Sequence, residues 1–519
     1  MRLKGIFCYF LIFTMILTGC SGGGNNAPAA SNESGANSDQ TAETAVKDSV
    51  NFSINAEPST LDPQKGNDLL TFAVHSQIFD TLVRENADGS LVPGLAEKWT
   101  ISEDGKEIVF TLRNDVKFHN GDLMTADDVV YSLNRAITST FTKRITGSMD
   151  KAEKIDDSTV KLVLKYSYGP ILDCIATTNV GIVPQKAVEA NEEGFARNPV
   201  GTGPFKFKEW NNGEKIVFES FKDYYRGEAS IKNLTFKIIS DKTSAAVALE
   251  NGEVDVLLSP DEADRKNLIA NEKLTYYETE SNSFYFVSFN NETGLFSNKL
   301  LREAISYAVD RESLVMGALE GNGAPLESAI PTNTFGSPEN FKGNQFDIEK
   351  AKALLAEAGY PNGLTIKVPT LYLKPTEVLQ DQLRQIGIVA EIEQMERGAW
   401  LQDVYTDNKY EITVGSYSAL VPDADQITYN RYHGDFVGGG NNMVRCNIPE
   451  LNKELDLART SQSVDERKAA YLRVSEILRD ESVLIPLYSS MNGIAANKDL
   501  KGVQAHPVQR VYVYDYSWK

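Results

Sequence analysis

Four cysteines and four histidines are the side chains of this 519-residue sequence best suited to covalent or metal chemistry. His75, His119, His433 and His506 are scattered, with no close pair at metal-ligand spacing. Each reads as a packed or surface side chain, and no metal site is expected. The pattern His-Glu-x-x-His does not occur, so nothing announces a zinc hydrolase. Gly201-Thr202-Gly203 lacks a third glycine and runs into Pro204 and the strand-like FKFKEW instead of a helix. It reads as a structural turn and not as a dinucleotide loop. No cofactor is expected, and the chain is not expected to be an enzyme. Cys174 and Cys446 lie far apart in sequence and read as two buried thiols, although an oxidising setting would allow them to pair. Cys20 differs from all of these, because it stands between the apolar run 6–17 and the glycines 22–24.

Arg2 and Lys4 precede that run. A membrane-spanning helix needs about 20 apolar residues; this run is shorter and fits the hydrophobic part of a signal peptide. Leu17-Thr18-Gly19-Cys20 resembles the bacterial lipobox. The resemblance implies that the Cys20 thiol receives a diacylglyceryl group, that the chain is cut before it, and that residues 1–19 are a lipoprotein signal peptide. Two or three acyl chains anchor a soluble domain where one is marginal. Residues 20–48 are then the lipidated cysteine and a linker of Gly, Ser, Asn and Ala with hardly an aliphatic residue. Such a segment cannot bury enough surface to fold and reads as a leash. The net charge of −20 argues against nucleic acid and against adhesion to an anionic membrane by charge. Attachment then falls to the lipid.

The elements that follow must position any site. Two β-rich runs flank Asp104-Gly105, a tight-turn signal, and Asn120-Gly121 marks the next turn. Thr125 with Asp128 forms a capping-box-like start to a helix whose buried stripe is Val129, Leu133 and Ala136. Residues 241–258 read as a helix stopped by Gly252 and then a short strand; 299–315 reads as a helix pair. Asp347 caps a helix ended by Gly359. LTIKV, TEVLQDQLRQIG and IVAEIEQM make a β-α-β unit with parallel strands. A long helix covers 465–481. Pro486 makes SVLIPLY a poor central strand, so this stretch is expected to be chain crossing back between lobes.

From EPSTLDPQ (57–64) onward the sequence resembles the extracytoplasmic solute-binding proteins of peptide and nickel ABC importers, bacterial solute-binding protein family 5, which includes dipeptide- and oligopeptide-binding lipoproteins. The blocks LVPGLAEKWTISEDGKEIVFTLRNDVKFHNGDLMTADDVVYSLNRA, NPVGTGPFKFKEW, KDYYRGEASIKNLTF, LENGEVDV, LREAISYAVDRESLV and AKALLAEAGYPNG follow in the family's order. The resemblance implies an α/β, two-lobe, periplasmic-binding-protein-like (Venus flytrap) fold with an enlarged first lobe carrying an extra subdomain. Lobe 1 is expected over 49–287, with the subdomain at roughly 80–196, lobe 2 over 288–484, and a C-terminal return to lobe 1 over 485–519.

The same resemblance implies a lipid-anchored receptor on the outer face of the bacterial cytoplasmic membrane. It would be a monomer that encloses a peptide between its lobes and hands it to the permease subunits of an ABC importer. The alternative within the fold is a receptor for a nickel chelate or another small non-peptide solute; a chaperone or signalling adaptor that senses peptides remains open. Ligand contacts are expected from Asn67, Asp68 and Leu69, and from the segment 415–425, with Tyr417, Ser418, Leu420 and Asp423. Many members read Trp-x-x-Asp there, and that Asp pairs with the peptide's amino terminus. In this chain Tyr417 takes the aromatic place and Leu420 the place of the acid. A leucine cannot neutralise a buried ammonium group. Three explanations stay open: Asp423 or Asp425 substitutes, the amine finds solvent or another acid, or the ligand has no free amine.

Overall fold

The computed structural model describes residues 47–66, 68–86, 89–438 and 441–519. Cys20, the leader and linker around it, and Asn67 lie outside these residues.

The Asp104-Gly105 turn joins Ala96–Ile101 to Glu107–Leu112, with Gly105 at φ +67°. Thr159–Leu164 and then Met149–Asp156 extend this hairpin into a four-stranded antiparallel sheet. Alternate residues Ile108, Phe110, Val160 and Leu162 turn inward and are buried, as the two-residue strand period requires. The helix Ala126–Thr138 lays Val129, Leu133 and Ala136 on that face. Its start is the expected capping box: Thr125 Oγ1 accepts from the Asp128 N–H at 3.2 Å, and Asp128 Oδ2 accepts from the Thr125 N–H at 3.0 Å.

Val83–Glu85 with Leu91–Pro93 and Leu500–Lys501 with Ser517–Trp518 form two small antiparallel pairs, and a second large sheet, eleven-stranded, carries the other strands. Its main path runs Ile388–Gln394, Leu364–Thr370, Ile412–Tyr417, Leu274–Phe289, Leu484–Asn497, Val256–Leu258, Ser49–Ile54, Asn233–Ile238, Lys215–Ser220 and Phe205–Asn211. Leu274–Phe289 and Leu484–Asn497 pair antiparallel from Leu274↔Asn497 to Ser288↔Leu484. They are the longest strands and connect the two wings, which have separate apolar cores: one around Phe52, Phe218 and Phe236, the other around Phe289, Ile305 and Leu383. The wings are the two lobes. The register breaks between Glu280 and Phe284, so the connecting pair is irregular at Ser281, Asn282 and Ser283.

The β-α-β unit forms as expected, with Leu364↔Ile388 through Thr370↔Gln394 parallel and the helix Leu373–Arg384 burying Leu379 and Leu383. Asp347 Oδ1 accepts from Lys350 N–H at 2.9 Å at the start of Ile348–Glu357. The expectation for Pro486 is corrected in part: Leu484–Asn497 does pass between the lobes, yet it lies centrally in the sheet. The proline is tolerated because the register shifts there, Tyr285 facing Tyr488 but Phe286 facing Pro486, and a bulge does not need the missing N–H. The Pro486 carbonyl accepts from Arg311 Nε at 2.8 Å.

Gly201 and Gly203 form the expected turn. The backbone passes so close to the helix Leu69–Ile78 that a Cβ on Gly201 would lie 2.0 Å from the Ile78 carbonyl oxygen. Cys174 and Cys446 are free and buried in different cores. All four histidines are buried; His75 and His119 each place Nε2 against a backbone carbonyl, of Thr60 at 2.8 Å and Gly203 at 2.9 Å. Among the described residues no cluster of His, Cys, Asp or Glu could hold a metal ion, and no helix is long and apolar enough to cross a membrane.

Candidate functional site

The loop after Ile412–Tyr417 leaves the second lobe and inserts into the first. Val421 is fully buried in the core of the four-stranded subdomain, and Leu420 packs beside it. Leu420 also closes one end of a cavity, about 880 Å³ counted out into the solvent at its mouth, whose other walls come from the first lobe and the C-terminal segment. Leu69, Phe72 and Phe79 make its apolar side. Asp80, Arg84, Glu85, Arg226, Arg510 and Asp515 bring three carboxylates and three guanidiniums to the same space.

These charges are only partly satisfied by one another. Glu85 is ion-paired with Arg510, and Tyr224 donates its hydroxyl to Asp80 Oδ1 at 3.2 Å. Yet Asp80 Oδ2, Arg84 Nε, Glu85 Oε1 and the Tyr512 hydroxyl are buried without a hydrogen-bond partner. An unmade hydrogen bond on a buried polar atom costs roughly 1–3 kcal/mol, so these four atoms leave hydrogen-bonding capacity unused in the residues around the cavity. Burial raises the Asp80 carboxyl from its ordinary 3.8 to about 7, against the pull of Arg226, the Tyr224 hydrogen bond and Arg84. His506, 3.6 Å from Glu85 Oε1, is held near 4 by burial and is neutral at pH 7.

Of the residues expected from sequence, Leu69 and Leu420 meet across this cavity, one from each lobe. The others do not line it, and Asn67 lies outside the described residues. Asp68 is the N-cap of Leu69–Ile78: its Oδ1 accepts from Thr71 N–H at 2.8 Å and its Oδ2 from the Thr71 hydroxyl at 2.7 Å. Tyr417 turns into the second lobe's core between Phe284 and Phe286, ring centroids 5.9 and 4.5 Å away, because it ends a strand paired with Phe284. Ser418 is exposed; its hydroxyl meets that of Ser283 at 2.6 Å, and its carbonyl accepts from Arg144 Nη2 at 2.9 Å.

The two acids suggested as substitutes for the missing one are already occupied. Asp423 is 1 % exposed and takes Arg467 Nη2 at 2.8 Å on both oxygens. Burial pushes its carboxyl up, and Arg467 pulls it back down. Asp425 accepts from Arg459 Nε at 2.7 Å, Arg459 Nη2 at 2.9 Å and the Tyr168 hydroxyl at 2.8 Å. An ammonium taking either acid would strand a buried guanidinium, which costs several kcal/mol. Both pairs lie within the second lobe, and the second of them also ties it to the first: Tyr168, which donates to Asp425, belongs to the subdomain, and beside it the Gly169 N–H donates to the Arg459 carbonyl at 2.8 Å.

Sequence reading missed Asp80, Arg84, Glu85, Arg226, Arg510 and Tyr512. They come from three distant stretches, FDTLVRE, DYYRG and QRVYVYD. The one available signal was charge inside otherwise apolar and aromatic runs.

Residues 90–439 match the model of the bacterial extracellular solute-binding proteins, family 5 (middle region). The chain belongs to that family. Heme-binding protein A of Haemophilus influenzae is 26 % identical over 482 residues, 85 % of this chain and 86 % of the relative. The solved structure of HbpA2 from Haemophilus parasuis superposes with a TM-score of 0.84 at 26 % identity, covering 91 % of this chain and all of that one. DppA from Helicobacter pylori, solved in complex with the peptide STSA, has a TM-score of 0.75 at 25 % identity, covering 91 % of this chain and 98 % of that one. The two-lobe periplasmic-binding-protein fold is thereby this chain's fold, and as a family 5 solute-binding protein it is an extracytoplasmic receptor for ABC import.

Proposed function

We propose that this family 5 receptor captures short peptides between its lobes and delivers them to an ABC importer, as a monomer held on the outer face of the bacterial cytoplasmic membrane by lipid on Cys20. The observation that carries this reading is the first-lobe cavity that Leu420 of the second lobe closes at one end, with equal numbers of carboxylates and guanidiniums among its lining residues. A peptide is a zwitterion and can answer both signs at once; an apolar solute can answer neither. The H. pylori relative in complex with STSA supports peptide as the class. Asp80 supplies the counter-charge for an amino terminus that Leu420 cannot, and Arg84 and Arg226, which lie near it, are the guanidiniums open to a ligand carboxylate, since Glu85 and Arg510 answer each other. Leu69 and Leu420 are the apolar contacts through which each lobe meets the ligand, and Asn67 and Ser418 flank them in the chain. On this reading lobe 1 spans 49–287 with its subdomain at roughly 80–196, lobe 2 spans 288–484, and 485–519 returns to lobe 1. Closure then couples to ligand through contacts that only the closed arrangement makes.

Two measurements test the reading. Protein purified from its native host is denatured and the released ligand read by mass spectrometry: short peptides are expected, and recovery of only a nickel chelate or another non-peptide solute would overturn it. Intact-mass analysis of the mature protein is expected to find a diacylglyceryl Cys20 as its first residue; an unmodified or uncleaved chain refutes the anchor.

A further inference from the structure

A second groove lies between the lobes and shares no lining residue with the cavity above. It encloses about 1010 Å³ counted to its mouth. Lys143 and Arg144 reach it from the first lobe's subdomain, Arg431 and Arg459 from the second lobe, with Tyr166 and Tyr168 between them. Asp425 is the one carboxylate in the lining, and Arg459 already holds it through two hydrogen bonds. Among the described residues, no carboxylate lies within ion-pair distance of Lys143, Arg144 or Arg431. In a chain of net charge −20, three unpaired cations converging on one groove need a physical reason.

The geometry of the two guanidiniums supplies it. Arg144 spends a donor on the Ser418 carbonyl at 2.9 Å, and the remainder of its five-donor fork is free. Arg431 lies over the Tyr417 ring, 4.2 Å from its centroid, a stacking that leaves the in-plane N–H groups available. Both guanidiniums line the same groove, so their like charges oppose each other there. Each belongs to a different lobe, so bringing the lobes together brings like charges together. We propose that this groove is an oxyanion site that bridges the lobes: a phosphate-like or carboxylate group accepts from Arg144 on one side and Arg431 on the other, with Lys143 as a third charge. Occupancy turns the repulsion between lobes into attraction, so the anion is a co-ligand of the closed arrangement. Its source is a free inorganic anion or an acidic group projecting from a transported solute.

Isothermal titration of the full-length protein with inorganic phosphate, against sodium chloride at matched ionic strength, reads the site directly. Phosphate binding is expected, with weakening of about tenfold to a hundredfold in Arg431→Gln, the range for a charge-assisted contact. Lys143→Gln is exposed, leaves the Tyr417 stack untouched, and is expected to weaken phosphate less. Arg431→Lys keeps the charge, loses the fork, and is expected to recover only part. Repeating the titration with peptide present separates the sources. Binding undiminished by neutral peptides but competed by phosphorylated or acidic ones assigns the groove to the solute's own group. Binding tightened by every peptide assigns it to a free ion. The proposal is overturned if chloride at equal ionic strength reproduces the response, or if both Arg431→Gln and Lys143→Gln bind phosphate as the wild type does.

Discussion

Asp80 gives the most direct handle on the cavity. Its carboxyl is raised from 3.8 to about 7. At about 1.4 kcal/mol per pH unit, keeping it ionised costs the empty folded protein roughly 4 kcal/mol at pH 8. Solvent reaching this partly exposed residue trims that to about 2–4 kcal/mol. The sign follows from proton counting. Between pH 4 and pH 7 the folded chain holds a proton on Asp80 that the unfolded chain has lost, so Asp80's contribution to stability is complete below about pH 4 and declines as pH rises through 7. Asp80→Asn removes the titration. The variant is expected to match the wild type near pH 4.5 and to exceed it by about 2–4 kcal/mol at pH 8 in urea unfolding. The buried histidines shift stability the other way, since His75, His119 and His506 are held near 4 and their contribution is lost as pH falls below 6.5. They are common to both proteins and cancel in the difference. Binding is expected to move oppositely to stability. Wild-type affinity for a free-amine peptide rises with pH up to about 7, and Asp80→Asn loses both that slope and at least about tenfold in affinity, while N-acetyl peptides bind the two proteins alike. Parallel stability curves, or an unchanged preference for the free amine in the variant, would refute the assignment.

Arg467→Met leaves the buried Asp423 carboxylate uncompensated and is expected to cost about 3–5 kcal/mol; adding Asp423→Leu is expected to recover most of it, as read by urea unfolding. Gly201→Ala places a methyl 2.0 Å from the Ile78 carbonyl oxygen and is expected to cost about 1–3 kcal/mol or more by overpacking, with a lowered melting temperature and no change in the pH dependence of peptide binding. Thr125→Ala removes one half of the capping box and is expected to cost about 1 kcal/mol; a loss much above that would mean the hydroxyl serves more than the helix end.

Much of the architecture was legible in the chain because its signals are local. Asp104-Gly105, the Thr125–Asp128 cap, Asp347 before its helix and the parallel β-α-β unit each rest on residues a few positions apart, and each forms as expected. Pro486 misled because its penalty depends on what faces it, and a register shift 200 residues away in sequence faces it with a bulge. The candidate site was legible only at two of its walls, Leu69 and Leu420. Asp423 and Asp425 carried the right chemistry for an ammonium, but Arg467 and Arg459 had already taken them.

The sequence by itself determined the class of protein, the order of its elements and the absence of an acid at position 420, since these follow from periodicity, turn chemistry and a recognisable run of blocks. Only the tertiary structure decided which charges are free. Whether a carboxylate can receive a ligand depends on the guanidinium packed against it, and burial sets the cost of leaving it alone. That information is held by distances between residues hundreds of positions apart, as between Asp80, Arg226 and Arg510 around the cavity.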